Sequence, residues 1–271
     1  ALPISPLYIE NTKSQEFKWL SIFSDATDLD IISGLNEFVD AYGNWIATKK
    51  EQYNYSHKFS KIAEQELNKC EIDFNRMKSN IKYFLTGKEN EKRLHSFRLM
   101  NAVMFMQLWH SVNAKKEKFK QVIDEPSFQS FNFDFYKSAS DKLFSTTEPA
   151  GWRAFQLAFI ILNLDGIFKL DEDTDWEKRN NWVDLVWFPT GGGKTEAYLG
   201  LIALTIINRR KEFPESGGGT AVIMRYTLRL LTMQQFQRAT MMIMALELLR
   251  RWGNLNLGEE PIYIGLWVGN S

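Results

Sequence analysis

The sequence has 271 residues, 33 basic and 33 acidic side chains, and 44% hydrophobic residues. That length allows one large domain or two modest ones around a substantial core, and the balanced charge argues against a globally basic nucleic-acid binder while leaving room for local patches. The longest apolar runs, near 199–207 and 241–249, fall short of the ~18–20 residues that cross a bilayer, so no membrane role is expected.

Residues 1–25, with Pro3 and Pro6, read as an irregular leading segment. From about 27 to 145 the pattern is mainly helical. Ile31, Ile32, Leu35, Phe38, Val39, Tyr42, Trp45 and Ile46 form one apolar stripe at helical spacing. A second helical region covers 56–86 and ends near Gly87. A third covers 91–120, and its run Met100–Trp109 is apolar on most sides, which predicts a buried central helix. Lys115, Lys116, Lys118 and Lys120 follow as a solvated helix end. Cys70 is the single cysteine, which excludes an intramolecular disulfide, suits a reducing cytoplasm and reads as an inert buried thiol. His57, His95 and His110 are scattered, without zinc-type spacing.

Turn signals at Glu125-Pro126 and Glu148–Gly151 place a domain boundary near 150. An apolar helix is predicted over 152–164, then an acidic loop at 171–178 and a strand at 183–188. A helix over 194–211, a loop over 214–219, a strand over 220–226, a helix over 229–252 and a strand over 262–268 complete the pattern. This β-α-β-α-β order predicts the start of a parallel sheet with right-handed crossovers. Arg209, Arg210 and Lys211 close the first of these helices, where positive charge suits the dipole.

The chemistry lies in residues 185–197, Leu-Val-Trp-Phe-Pro-Thr-Gly-Gly-Gly-Lys-Thr-Glu-Ala. Strand, Gly-rich loop and helix N-terminus in that order form a phosphate cradle. Thr190, Gly191, Gly192 and Gly193 supply a backbone that can approach phosphate oxygens. Lys194 offers a cation to the β- and γ-phosphates, and the Thr195 hydroxyl offers a ligand to Mg²⁺. The expected cofactors are therefore ATP and Mg²⁺. The general P-loop pattern asks for Gly where Phe188 stands, so the strict motif fails.

The form Pro-Thr-Gly-x-Gly-Lys-Thr resembles motif I of superfamily 2 helicases and translocases. Downstream, Tyr226–Gln235 is similar to the motif Ia of that superfamily, with Tyr226 in place of Pro and the Arg displaced by one position. The resemblance implies that Thr227, Arg229 and Gln235 contact a nucleic-acid backbone, a sequence-independent contact of the kind a translocating motor needs. Upstream, Trp152–Gln156 resembles the Arg-x-x-Gln region of helicases and implies that Gln156 contacts adenine, which an amide can do at N6 and N7. Asp171–Thr174 mimics the Mg²⁺-binding acidic box, but it precedes the phosphate loop instead of following it, and reads as a solvated loop.

Together, Trp187–Leu201, Arg225–Gln235 and Ile264–Gly269 resemble the helicase subunit of DISARM-type anti-phage defence systems, most closely over 181–271, weakly over 91–165 and negligibly before that. The resemblance implies a mainly helical accessory domain over 1–150 and the first part of a RecA-like, parallel-sheet motor lobe over 151–271. It implies a cytoplasmic, ATP-dependent DNA motor working with partner subunits. No acidic box, second lobe or arginine finger follows the cradle in these residues. The expectation is an N-terminal portion that binds ATP phosphates but does not by itself hydrolyse them usefully. Two other readings stay open on residues alone: a non-catalytic partner-binding module with a degenerate nucleotide fold, and a nucleotide-switch ATPase that does not act on nucleic acid.

Overall fold

A computed structural model describes residues 17–18, 26–52, 60–113, 151–169, 183–186, 193–226, 229–251 and 255–267, without the side chains of 17–18, 112–113 and 229–232. The elements in chain order are β1 (Phe17–Lys18), α1 (Asp28–Gln52), α2 (Ser60–Leu85), α3 (Asn90–Asn113), β2 (Gly151–Trp152), α4 (Ala154–Leu162), α5 (Leu164–Phe168), α6 (Lys194–Glu212) and α7 (Arg229–Arg251). The described residues are mostly helical, and β1 and β2 pair in a two-stranded sheet. Helices expected over 27–46, 56–86, 91–120, 152–164, 194–211 and 229–252 have their counterparts in α1, α2, α3, α4, α6 and α7.

The parallel sheet is where the structure departs from the sequence pattern. The described parts of the three expected strands, 183–186, 220–226 and 262–267, form no ladder among the described residues. Val183, Leu185, Ile223, Tyr263 and Trp267 are exposed there, Trp267 at 96%. Apolar alternation marks a segment able to enter a sheet, but the ladder itself needs neighbouring strands and a covered face.

The chain divides into two compact units whose segments interleave along the sequence. The first comprises 25–95 and 152–197 with the leading segment to residue 17. Its first helix starts on a reciprocal cap: Thr27 Oγ1 accepts the Asp30 N–H at 3.1 Å, and Asp30 Oδ2 accepts the Thr27 N–H at 2.7 Å. The face of α1 carrying Ile31, Leu35, Val39 and Ile46 is buried, and α1 packs along α2. The Lys50–Glu71 ion pair at 2.7 Å and a Lys78–Asp40 pair tie the two helices at their rims. The helix α2 stops at Gly87, whose φ of 85° suits a left-handed C-terminal cap. Arg93 then donates to the Tyr83 carbonyl at 2.8 Å and so satisfies the end of α2.

On its other flank α2 meets α4 and α5. Asn80, 5% exposed, donates to the carbonyls of Ile161 at 2.9 Å and Leu162 at 3.2 Å. Those carbonyls end α4, so one buried amide satisfies the helix end and fixes its position on α2. The Phe84 and Phe168 rings meet edge to face at 5.4 Å between centroids.

The second unit comprises 96–151, 198–271 and the short stretch 18–24. From Ser96 to Gln107 every residue of α3 except Arg98 is buried, as the all-round apolar pattern predicts. Loop carbonyls in this unit are held by arginines. Arg209 reaches Gly217 and Gly218 at 3.0 Å each, Arg210 reaches Glu260 at 2.9 Å and Pro261 at 3.2 Å, and Arg250 reaches Glu259 at 2.8 Å. The basic end of α6 therefore does more than complement a dipole: Arg210 is 5% exposed and ties the segment around residue 260 to the helix. Glu247 completes the clamp by accepting the Ile262 N–H at 2.9 Å while pairing with Arg250 and Arg251.

Candidate phosphate-binding site

The described part of the expected cradle is its C-terminal half. Thr190, Gly191, Gly192 and Thr227 lie outside the described residues, as do the acidic loop at 171–178 and the lysines at 115–120. Gly193, Lys194 and Thr195 are described, and Lys194 and Thr195 form the first turn of α6. The helix begins there because Gly193 turns the chain with φ 87° and its carbonyl accepts the Glu196 N–H at 3.2 Å.

Gln156 comes to the same point from α4. Its Nε2 donates to the Gly193 carbonyl at 2.7 Å, and its Oε1 accepts the Arg153 N–H at 2.8 Å, closing the first turn of α4. The side chain is 3% exposed. A Cβ at position 193 would sit 2.8 Å from Gln156 Nε2 and displace that amide, and the φ of 87° would strain any side chain there. Gln156, expected at adenine, has its amide engaged with backbone on both ends, at Arg153 and at Gly193.

A second link joins this region to the helices. Arg76 of α2 pairs with Asp184 through Nη1–Oδ1 at 2.8 Å and Nη2–Oδ2 at 3.4 Å, and with Asp165 of α5 through Nε at 3.4 Å. Burial lowers the affinity of the guanidinium for its proton, but its hydrogen bond to Asp184 and the charge of Asp165 outweigh it, and the Arg76 pKa is raised. Asp184 lies in the segment expected as the strand leading to the cradle. No local pattern signals this pair, because 108 residues separate its members.

The proposed nucleic-acid residues are less gathered. Arg229 opens α7, and its side chain is not described. Gln235 stands on the same helix, half-buried, with its amide oxygen buried and without a hydrogen-bond partner among the described residues. No group of three or more His, Cys, Asp or Glu side chains suited to a metal occurs among the described residues. Cys70 is half-buried, its thiol pushed up by burial against a hydrogen bond from Tyr42. Burial alone pushes the His110 imidazole down, next to the edge of Trp109. No described helix is long and apolar enough to cross a membrane.

A Gly in left-handed conformation, a helix N-terminus, a Lys and a Thr on its first turn are the donors a phosphate needs. The chain is similar to DISARM protein DrmA. The identity with DrmA of Bacillus paralicheniformis is 35% over 253 residues, which covers 91% of this chain and 20% of DrmA. The chain thus spans about one fifth of the length of that relative. A match over 91% of the chain necessarily takes in most of the helical region, where the motifs alone carried little or no resemblance. No family model matches the chain.

Proposed function

We propose that the chain carries the nucleotide-binding part of an ATP-dependent DNA helicase or translocase that acts in anti-phage defence together with partner subunits. Its organisation in this reading is a helical accessory domain over 1–150 and the beginning of a RecA-like lobe over 151–271. The observation that carries the reading is the Pro-Thr-Gly-Gly-Gly-Lys-Thr sequence ending in a left-handed Gly193 at the N-terminus of a 19-residue helix. The similarity to DrmA supports the defence role.

The described residues fit a phosphate group on a specific ground. The position before Lys194 has a φ of 87°, which glycine adopts without strain, and a Cβ there would press on the Gln156 amide. In this reading Thr190 to Gly193 and Lys194 hold the triphosphate, and Thr195 holds Mg²⁺. The metal, when bound, neutralises charge on the phosphate oxygens. Lys194 contributes a fixed cation, and the N-terminal amides of α6 contribute donors and a favourable dipole. Thr227, Arg229 and Gln235 are the DNA-backbone contacts of the proposal.

The test is direct titration of the chain with a fluorescent ATP analogue in Mg²⁺. Binding that Lys194→Ala weakens by at least tenfold supports the cradle, since a charge-assisted contact of about 1.5–3 kcal/mol is removed. Unchanged affinity in that variant refutes it. DNA binding that falls steeply with salt supports the motor, because phosphate contacts release counterions. ATP binding with no DNA binding at any salt leaves the nucleotide-switch reading in its place.

A further inference from the structure

Recognition of adenine by an amide takes one donor and one acceptor, directed at N7 and N6. Gln156 already has one of each in use, and little of it is open to a base. One of its N–H groups is on the Gly193 carbonyl and its oxygen accepts the Arg153 N–H, in a side chain 3% exposed. What the side chain holds is also informative. The Gly193 carbonyl and the Lys194 N–H belong to one planar peptide unit, trans like every described peptide bond. Fixing the carbonyl at 2.7 Å fixes that plane, and with it the opposite direction in which the Lys194 N–H points. The same carbonyl accepts the Glu196 N–H, so the loop-to-helix corner is held from the helix side and from α4.

We propose that Gln156 is a positioning residue of the phosphate loop, acting through the Gly193–Lys194 peptide and blind to the nucleotide base. The inference rests on the phosphate-binding reading above. Gln156 presets the direction of a backbone donor at the helix N-terminus, where a phosphate is bound. Its loss therefore weakens every triphosphate alike, with or without a base.

The experiment compares ATP, GTP and inorganic tripolyphosphate on the full chain with Mg²⁺ present. Gln156→Met keeps side-chain volume and loses both hydrogen bonds. Gln156→Glu keeps the acceptor for Arg153 and loses the donor for Gly193. The expected result is an affinity loss of about tenfold in Gln156→Met, equal for the three ligands, because the Gly193 carbonyl loses its buried donor and no charge is added near the phosphates. A measurement on the wild-type chain stands beside the variants: the Gln156 side-chain amide resonance in nitrogen-15-labelled protein. It should respond equally to ATP and tripolyphosphate. A loss or a resonance shift confined to ATP overturns the inference and makes Gln156 an adenine reader. No loss for any ligand in a folded Gln156→Met also overturns it. A wild-type chain that binds none of the three ligands overturns the phosphate-binding reading itself, and this inference with it.

Discussion

Replacing Arg76 with Met removes a cation that faces both Asp165 and Asp184 at hydrogen-bonding distance. The three side chains are each about one-fifth exposed, at 18%, 17% and 22%. At an effective dielectric of ~20 and a separation of ~4 Å, each ion pair is worth about 4 kcal/mol before desolvation. Water at the exposed edges, and the hydration the carboxylates regain in the variant, cancel most of that. The expected net loss is about 2–3 kcal/mol, between an exposed pair and a fully buried one. With a urea m-value of ~2–3 kcal/mol/M this lowers the unfolding midpoint by about 1 M. The double variant Arg76→Met/Asp184→Asn should recover part of the loss, because one of the two carboxylates that lost this cation is neutralised. Since Asp184 lies ten positions before Lys194, nucleotide affinity should fall in the single variant as well. A loss under ~0.5 kcal/mol would show that the cluster behaves as an ordinary surface pair and refute the reasoning.

Other residues give independent tests. The Glu247 carboxyl is pushed up by partial burial but pulled down more strongly by Arg250, the Ile262 N–H and Arg251, to about 2. A depressed carboxyl stabilises the fold above its ordinary value of 4.5, and this contribution disappears as pH falls through about 2. Glu247→Gln, after discounting for solvent screening, should therefore cost about 1–2 kcal/mol at pH 7 and progressively less below pH 4.5, as read from melts across that range. Gly258→Ala should destabilise by roughly 2 kcal/mol or more, because φ is 75° and the added Cβ would sit 2.5 Å from the Pro214 backbone oxygen; a neutral melt contradicts this. Asn80→Ala should cost about 1–2 kcal/mol by removing a buried donor from the carbonyls that end α4, measured by denaturant titration. The raised Cys70 thiol should alkylate more slowly at neutral pH in the folded chain than in the unfolded one; equal rates would show the thiol to be solvent-like.

Much of the helical architecture was legible locally. The stripe from Ile31 to Ile46, the stop at Gly87 and the all-round apolar run of α3 each follow from spacing of 3.6 residues or a helix-ending glycine. The Gly-Gly-Gly-Lys-Thr stretch marked the site in the same way, since its meaning lies in adjacent residues. The parallel sheet was legible only as three strand-like segments, and among the described residues these have no ladder between them. A strand's alternation records what its faces can bury and leaves its neighbours unspecified.

The sequence by itself determined where the helices run, where the glycine-rich candidate loop stands and that the chain carries no excess charge. Only the tertiary structure decided what its described flanks meet: Gln156 on the Gly193 carbonyl, 37 residues away, and Arg76 on Asp184, 108 residues away. The physical reason is range. Capping, periodicity and glycine turns act within a few residues and leave a mark in spacing. Hydrogen bonds between distant side chains and backbone depend on how helices come together, and a polar residue in the sequence does not announce which carbonyl it will meet.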